Sequence, residues 1–311
     1  MGRLLNIEMK LTIQKEGFCR RHWKNFCGRV YKQIHRGFAF NLLALITFLW
    51  AMSLLVVIIW GINISLTEGR AFDLDSNRFF PEKLYFQNYV EAFRTIAFED
   101  TDYFGMLLNS IWFSFGSTFM KLLATVCFAY VVARFRFKGR KFLYVFVLIQ
   151  MMLPVYGQTT ANYILLDTFG LVDSPLFLLA MGAGHGMYFL ICHSFFETLP
   201  SSYEEAAQID GAGYMRTFLQ IMLPLSKPIL ISIGLLTFIS CWNDYTTTLL
   251  YLPHYPTLTS GLYRYKTVSI YTLDTCVYFA GIFLSTLPIA ALFIAFNKTL
   301  MENMAIGGIK G

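Results

Sequence analysis

Six apolar stretches follow one another along the chain, and each has about the 20 residues that a helix needs to cross a bilayer. The stretches cover residues 38–64, 106–133, 142–166, 175–196, 229–252 and 276–296. The third contains Pro154, where a helix is expected to kink, and the sixth contains Pro288. The pattern predicts an all-α integral membrane protein with six transmembrane helices.

The first stretch is longer than the apolar part of a signal peptide, and no small-residue cleavage site follows it. We therefore interpret it as a membrane helix. The predicted segments are an N-terminal segment (1–37), a first transmembrane helix (38–66), a polar segment (67–105), a core of five transmembrane helices (106–296) and a C-terminal tail (297–311).

The distribution of charge predicts the orientation, because Lys and Arg in short loops stay on the cytoplasmic side. Residues 1–36 carry nine bases and two acids, and residues 134–141 carry five bases. Residues 67–105 instead carry eight acids against four bases. We expect a multi-pass protein of the cell membrane with both termini cytoplasmic, residues 67–105 extracellular and residues 197–228 cytoplasmic.

The composition excludes several other classes. Only 14% of the residues are charged, against about 25% in soluble domains. The net charge is +6, but no basic stretch is rich enough to form a groove for nucleic-acid phosphates. The six cysteines are scattered without a CxxC pair or a His–Cys cluster, so we interpret them as small buried hydrophobic residues. No catalytic or metal-binding pattern is present, and we predict neither kind of site.

A polar segment, SSYEEAAQIDGAGYMRTFLQIMLPLSKP, interrupts the apolar chain at residues 201–228. Ser202 and Glu205 form an S-x-x-E capping box, which predicts the start of a helix. Gly211 and Gly213 are available for the positive φ that ends one. The loop around it carries four acids against two bases, which favours docking on a basic cytoplasmic protein. An interfacial helix that only bridges two spans is the alternative.

This segment resembles the cytoplasmic EAA loop of permease subunits of binding-protein-dependent ABC importers. The matching residues are Glu205, Ala206, Ala207, Gly211, Leu223 and Pro224. Three further stretches resemble the carbohydrate-uptake, MalG-like branch of that family, and they are ARFRFKGRK, CWNDYTTTLLYL and the C-terminal MAIGGIKG. Tyr245 stands where that branch usually has Phe. The resemblance covers about residues 105–311.

The resemblance implies a coupling helix between the fourth and fifth transmembrane helices, seated in a cleft of an ATPase subunit. The residues expected at that contact are Glu205, Ala206, Ala207, Asp210, Gly211, Leu223 and Pro224. The implied partners are a second homologous permease subunit, an ABC ATPase dimer, an extracellular solute-binding protein and a carbohydrate substrate, with membrane lipids around the helices. The chain has no GxxxxGK[ST] motif, so ATP and Mg²⁺ are expected in the partner subunits, with no cofactor in this one.

Polar residues within the apolar stretches are candidates for a substrate path, because sugars are bound by aromatic faces and by hydrogen bonds from amides and carboxylates. The candidates are Trp242, Asn243, Asp244, Gln158, Asn162 and His185. For each of them, a polar contact between packed helices is the alternative. Lys121, inside the second stretch, is compatible with a place at the membrane centre or with a side chain that reaches the interface.

A self-sufficient secondary transporter of a small polar solute is the alternative function. That class often has internal repeats and broken helices with charged residues near the membrane centre. No convincing repeat relates the first three stretches to the last three, and Asp244 is the main acid inside a stretch. The permease is therefore the favoured interpretation.

Overall fold

The structure, a computed structural model, describes residues 38–308 apart from 75–79, 82, 154–157, 183–185 and 269–273. Throughout these residues every regular element is helical, as the sequence predicts. Four helices are long and apolar enough to cross a membrane, and a bent pair of shorter helices can supply a fifth crossing. The chain divides into two compact units, residues 1–61 and 62–311.

The first predicted span is confirmed by helix α1, Phe38–Ser65. All of its side chains from residue 40 to residue 60 are exposed. A helix that is apolar on every side needs an apolar environment all round, which lipid or other membrane helices provide.

The acidic segment that follows contains two short helices, α2 (Gly69–Leu74) and α3 (Gln87–Thr95). Asn88, at the start of α3, is buried, and its side-chain amide donates to the carbonyl oxygens of Ser65 at 2.9 Å and Thr67 at 2.7 Å. These bonds hold α3 against the chain just beyond the first span.

The second predicted span is confirmed by α4, Tyr103–Arg134, which extends past both predicted ends. Asp102 caps its N-terminus, where the backbone N–H of Gly105 donates to the Asp102 carboxylate at 2.8 Å. At the other end α4 stops at Arg134, the first residue of the basic turn, and Gly139 takes a φ of +104° just before the next helix.

The third and fourth stretches do not form single straight helices. The third consists of α5 (Arg140–Met152) and α6 (Gln158–Thr168), each too short to cross a bilayer alone, and Pro154 lies outside the described residues. The fourth consists of a 3₁₀ helix, Pro175–Gly182, and α7, Gly186–Thr198, which are bent by 57° relative to each other.

The segment between the fourth and fifth spans is helical. It contains α8 (Ser202–Ile209), the single-turn α9 (Tyr214–Thr217) and a π turn (Phe218–Met222), and it leads directly into α10 (Leu223–Trp242). The π turn is a wider helical turn of the kind that often marks a functional site.

The prediction of one helix over residues 229–252 is wrong. The fifth crossing begins earlier, because α10 continues from the π turn, and it ends at Trp242. After a break at Asn243 and Asp244 the chain forms a separate short helix, α11, Tyr245–Tyr251. The reason is local, since Asp244 caps the new helix with its side chain.

The last two helices are α12, Leu258–Val268, and α13, Thr275–Gly308. Helix α13 confirms the sixth predicted span and includes Pro288. A buried cluster joins α12 and α13 to the start of α4, with Met106, Leu258 and Ala280 among its members. A second buried cluster joins the end of α4 to α7 and the π turn, so the polar segment between the fourth and fifth spans is packed onto the membrane helices.

Candidate functional site

The break in the fifth crossing places two polar side chains between helices. Asp244 accepts a hydrogen bond from the backbone N–H of Thr247 at 2.9 Å, which satisfies one of the free N–H groups at the start of α11. The side-chain amide of Asn243 donates to the carbonyl of Ile239 at 2.8 Å. Neither side chain is buried, so both keep polar atoms available for a ligand.

A cavity of about 860 Å³ opens beside this break. Its polar lining comes from five parts of the chain, and it includes Lys121 from α4, Gln150 from α5, Gln158 and Asn162 from α6, Asp244 from the break and Thr247 from α11. The apolar and aromatic remainder includes Phe177 of the 3₁₀ helix and Tyr251 of α11. The volume lies in the range of about 300–1,000 Å³ that ligand pockets occupy.

The structure brings together three of the six predicted path residues, Gln158, Asn162 and Asp244. Trp242 lies elsewhere: its side chain is 2% exposed, and its indole N–H donates to the carbonyl of Ser285 at 3.1 Å. These contacts are the ones expected of the alternative role, a polar contact between packed helices. Asn243 lines a different cavity, of about 540 Å³, together with Tyr245 of α11 and residues of α12 and α13. His185 lies outside the described residues.

Lys121 lies in the cavity wall, and its ammonium group donates to the thiol of Cys241 at 3.4 Å. Lys121 is the one charged residue inside the second apolar stretch. The sequence did not predict whether it lies at the membrane centre or reaches the interface. Gln150, Thr246 and Thr247 also line the cavity and were missed, because nothing in their local sequence separates them from other polar residues on these helices.

The segment between the fourth and fifth spans, residues 201–228, exposes part of the predicted coupling surface. Glu205 and Ala206 of α8 are exposed, as is Asp210, and Ile209 beside them is 86% exposed. Ala207, the other alanine expected at that contact, is buried within the chain and has almost no surface to offer a partner.

The remaining predicted coupling residues are Gly211, Leu223 and Pro224, and only some of them fit the prediction. Gly211 adopts a φ of +78°, as predicted for the end of the helix, and the space that a Cβ would occupy there has no neighbour within 4 Å among the described residues. Gly213 has an ordinary φ of −74°, so the prediction is wrong at that position. Pro224 is exposed near the start of α10, whereas Leu223 is half-buried against the core.

The predicted capping box is also wrong. The residue before α8 is Ser201, whose φ and ψ are helical and whose side chain makes no capping hydrogen bond. The backbone N–H groups of Glu204 and Glu205 donate instead to the carbonyl of Ser201 at 3.0 Å. The chain therefore enters α8 through a backbone turn.

Half of the acidic charge of this loop is matched inside the chain. Arg134 pairs with Glu204 at 2.9 Å, and Arg140 pairs with Glu197 at 2.8 Å. The basic stretch 134–141 therefore pairs with acids of this loop, in addition to its predicted role in membrane orientation. Glu205 is left as an exposed carboxylate of α8 with no ion pair among the described residues.

Two connecting loops meet at His254 and Asp173. The backbone N–H of His254 donates to the Asp173 carboxylate at 3.1 Å, and the imidazole Nδ1 contacts the other carboxylate oxygen. The backbone N–H of Asp173 in turn donates to the carbonyl of Tyr251 at 2.7 Å. The hydrogen bond to Asp173 and the charge of that carboxylate raise the pKa of His254 above its usual value.

Comparisons with known proteins fit these features. Residues 125–300 match the family described as binding-protein-dependent transport system inner membrane component. The chain is 31% identical over 269 residues to the maltodextrin transport system permease protein MdxG of Bacillus subtilis strain 168, covering 85% of this chain and 95% of MdxG. It is 29% identical over 287 residues to the galactooligosaccharides transport system permease protein GanQ of the same strain, covering 91% and 98%.

A chain of a bacterial ABC transporter involved in the import of the acidic polysaccharide alginate is among the solved structures that share the fold, with a TM-score of 0.70 and 22% identity. The match covers 83% of this chain and 95% of that one.

Proposed function

We propose that carbohydrate is the cargo of this chain, which belongs to the family of binding-protein-dependent transport system inner membrane components and is a permease subunit of an ABC importer. The observation that carries the proposal is the nearly full-length similarity to permeases named for maltodextrin and galactooligosaccharide transport. An oligosaccharide is therefore the cargo that we favour. A self-sufficient secondary transporter is disfavoured, because the family depends on a separate binding protein.

We propose the 860 Å³ cavity as the share of the translocation path that this subunit contributes. Its amides (Gln158 and Asn162), its carboxylate (Asp244) and its ammonium group (Lys121) can exchange hydrogen bonds with sugar hydroxyls. The aromatic side chain of Tyr251 supplies an apolar face in the same wall. A wall of this composition binds a neutral, hydroxyl-rich cargo without requiring one fixed charge partner.

The exposed face of α8 is proposed as the contact with the ATPase subunits. Glu205 supplies a carboxylate, Ala206 allows close approach of the partner backbone, and Ile209 adds exposed apolar area. ATP and Mg²⁺ are bound by the ATPase dimer in this proposal, and a second homologous permease and an extracellular binding protein complete the assembly.

The proposal includes six crossings with both termini in the cytoplasm. The third crossing combines α5 with α6, and the fourth combines the 3₁₀ helix with α7. In a variant without native cysteines, Lys83→Cys should react with a membrane-impermeant maleimide on intact cells, while Ser201→Cys should react only after the membrane is opened. Reaction of Ser201→Cys from outside would reverse the orientation and remove the coupling proposal.

Reconstitution tests the function as a whole. The permease pair, its ATPase dimer and its binding protein in vesicles should take up maltodextrin or galacto-oligosaccharide only when ATP is present on the ATPase side. Uptake that runs on an ion gradient without ATP would support the secondary transporter. Uptake of neither sugar class, with ATP hydrolysis stimulated by a solute that is not a carbohydrate, would overturn the carbohydrate assignment.

The Glu205→Lys variant tests the coupling surface. Truncating one partner of a desolvated interfacial ion pair costs about 2–5 kcal/mol, and about 2.8 kcal/mol is already a hundredfold in affinity. We expect the variant to lose its ATPase subunits on purification while the two permeases stay together. Ser201→Ala, a change at an exposed neighbouring position, is the control. If Glu205→Lys retains its ATPase subunits normally, the coupling proposal is wrong and α8 only connects two spans.

A further inference from the structure

The guanidinium group of Arg134 joins three parts of the chain at the inner end of α4. Its Nε and Nη2 donate to the two carboxylate oxygens of Glu204, each at 2.9 Å. Its Nη1 donates to the carbonyl oxygens of Leu199 at 2.9 Å and Phe196 at 3.3 Å. One side chain therefore ties the end of α4 to the C-terminal end of α7 and to the first turn of α8.

This pair is shielded from solvent. The side chains of Arg134 and Glu204 are 11% and 21% exposed. The hydroxyl of Tyr130 adds a hydrogen bond to Glu204 at 3.3 Å, and the Tyr130 ring packs on Phe218 at a centroid distance of 4.7 Å. A bidentate, charge-assisted pair in such surroundings is stronger and more directional than an exposed ion pair.

The covalent route from α8 to the fifth span has a different character. It passes through Gly211 at a φ of +78°, the single turn of α9 and the π turn Phe218–Met222. A left-handed glycine lets the chain turn without a steric penalty, and a π turn interrupts the regular hydrogen bonding of an α-helix. A displacement of α8 is therefore less firmly transmitted along the chain than across the Arg134–Glu204 contact.

We propose that Arg134 and Glu204 are a positioning pair that makes α8 move as one body with α4, so that movement of the coupling segment enters the membrane through α4. Lys121 lies 13 residues before Arg134 on the same helix, about 20 Å along its axis, and it lines the cavity. The pair thus links the surface proposed to contact the ATPase with the cavity wall. The inference rests on the proposed function, and it concerns residues other than those proposed to contact the ATPase or the cargo.

The chain offers a matched control. Arg140 and Glu197 form an ion pair of similar length, 2.8 Å, but their side chains are 30% and 50% exposed. Arg134→Gln and Glu204→Gln remove the shielded pair, and Arg140→Gln removes the exposed one. The double change Arg134→Glu with Glu204→Arg restores opposite charges at the two positions.

We expect Arg134→Gln and Glu204→Gln to retain the ATPase subunits, since Glu205 is untouched, and to hydrolyse ATP at the basal rate. Sugar imported per ATP should fall about tenfold, which is the factor that about 1.4 kcal/mol produces. Arg140→Gln should import normally, and the reversed pair should recover part of the loss. An equal fall in hydrolysis and import, or an equal effect of Arg140→Gln, would overturn the proposal.

A distance measurement tests the pair without relying on the cargo. Spin labels at Gln208 on α8 and Val131 on α4, both exposed positions, report the separation of the two helices in the assembled complex. The wild-type distance should stay constant between the nucleotide-free and the nucleotide-trapped complex, and in Arg134→Gln it should change or broaden. A wild-type distance that changes between the two states would overturn the proposal, whether or not any oligosaccharide is imported.

Discussion

Asp244 combines two roles that substitution can separate, a helix cap and a place in the cavity wall. Its carboxylate accepts from the backbone N–H of Thr247 at 2.9 Å, and losing such a cap costs about 1 kcal/mol, within about 0.5–2 kcal/mol. Asn caps about as well as Asp, so Asp244→Asn should leave stability nearly unchanged and Asp244→Ala should lower it by about that amount.

The effect on transport should follow a different order. A hydrogen bond from a sugar hydroxyl to a charged acceptor is worth about 1.5–3 kcal/mol, or about tenfold to a hundredfold in transport efficiency. Asp244→Ala should lose all of it. Asp244→Asn keeps an acceptor that is roughly half as strong, so its efficiency should fall by tenfold at most.

The assay is uptake of labelled oligosaccharide into vesicles, normalised to assembled complex, together with thermal unfolding in detergent. Asp102 provides the control, because it caps α4 in the same way, with Gly105 N–H at 2.8 Å, and does not line the cavity. Asp102→Ala should lower the Tm with full uptake per complex. Should Asp244→Ala behave like Asp102→Ala, the carboxylate is only a cap, and its role towards the cargo is refuted.

Two further predictions concern the loops. Gly211→Val forces a β-branched residue to a φ of +78°, at a cost of roughly 1–2 kcal/mol, so retention of the ATPase subunits on purification should fall. Gly213→Val is the control, because Gly213 has a φ of −74°, and this variant should retain the ATPase subunits. Equal behaviour of the two variants would contradict the backbone argument. Because the folded-state pKa of His254 is raised, its contact with Asp173 stabilises fully below the unfolded pKa of about 6.5 and is lost as pH rises through the raised value. The Tm of the wild type should therefore fall relative to Asp173→Asn between about pH 6 and pH 8, and a constant difference would contradict the assignment.

The first, second and sixth spans could be predicted from the sequence because about 20 consecutive apolar residues have one favourable arrangement in lipid, a helix that satisfies its own backbone. The third, fourth and fifth predicted spans are not single straight helices in the structure, and apolar length alone did not predict this. Asp244 shows why, since a single capping side chain ends one helix and begins another inside an apolar stretch. Apolar content alone carries no information on such a break.

Local motif reasoning also failed in the segment between the fourth and fifth spans. The S-x-x-E pattern at Ser202 and Glu205 is genuine in the sequence, yet α8 starts without a side-chain cap. The neighbouring residue, Glu204, is held by Arg134, which lies 70 positions earlier in the chain. A contact over that separation has no local signal, and the net charge of the loop overstated the charge that remains for a partner.

By itself, the sequence determined the membrane class, the long apolar helices and the motif that resembles a coupling segment, because each depends on the composition or spacing of neighbouring residues. Only the tertiary structure decided which polar residues meet. Gln158, Asn162 and Asp244 converge on one cavity, while Trp242 and Asn243, directly before Asp244, point elsewhere. Side chains of consecutive residues leave the backbone in different directions, whereas residues far apart in the chain come together only when the helices pack.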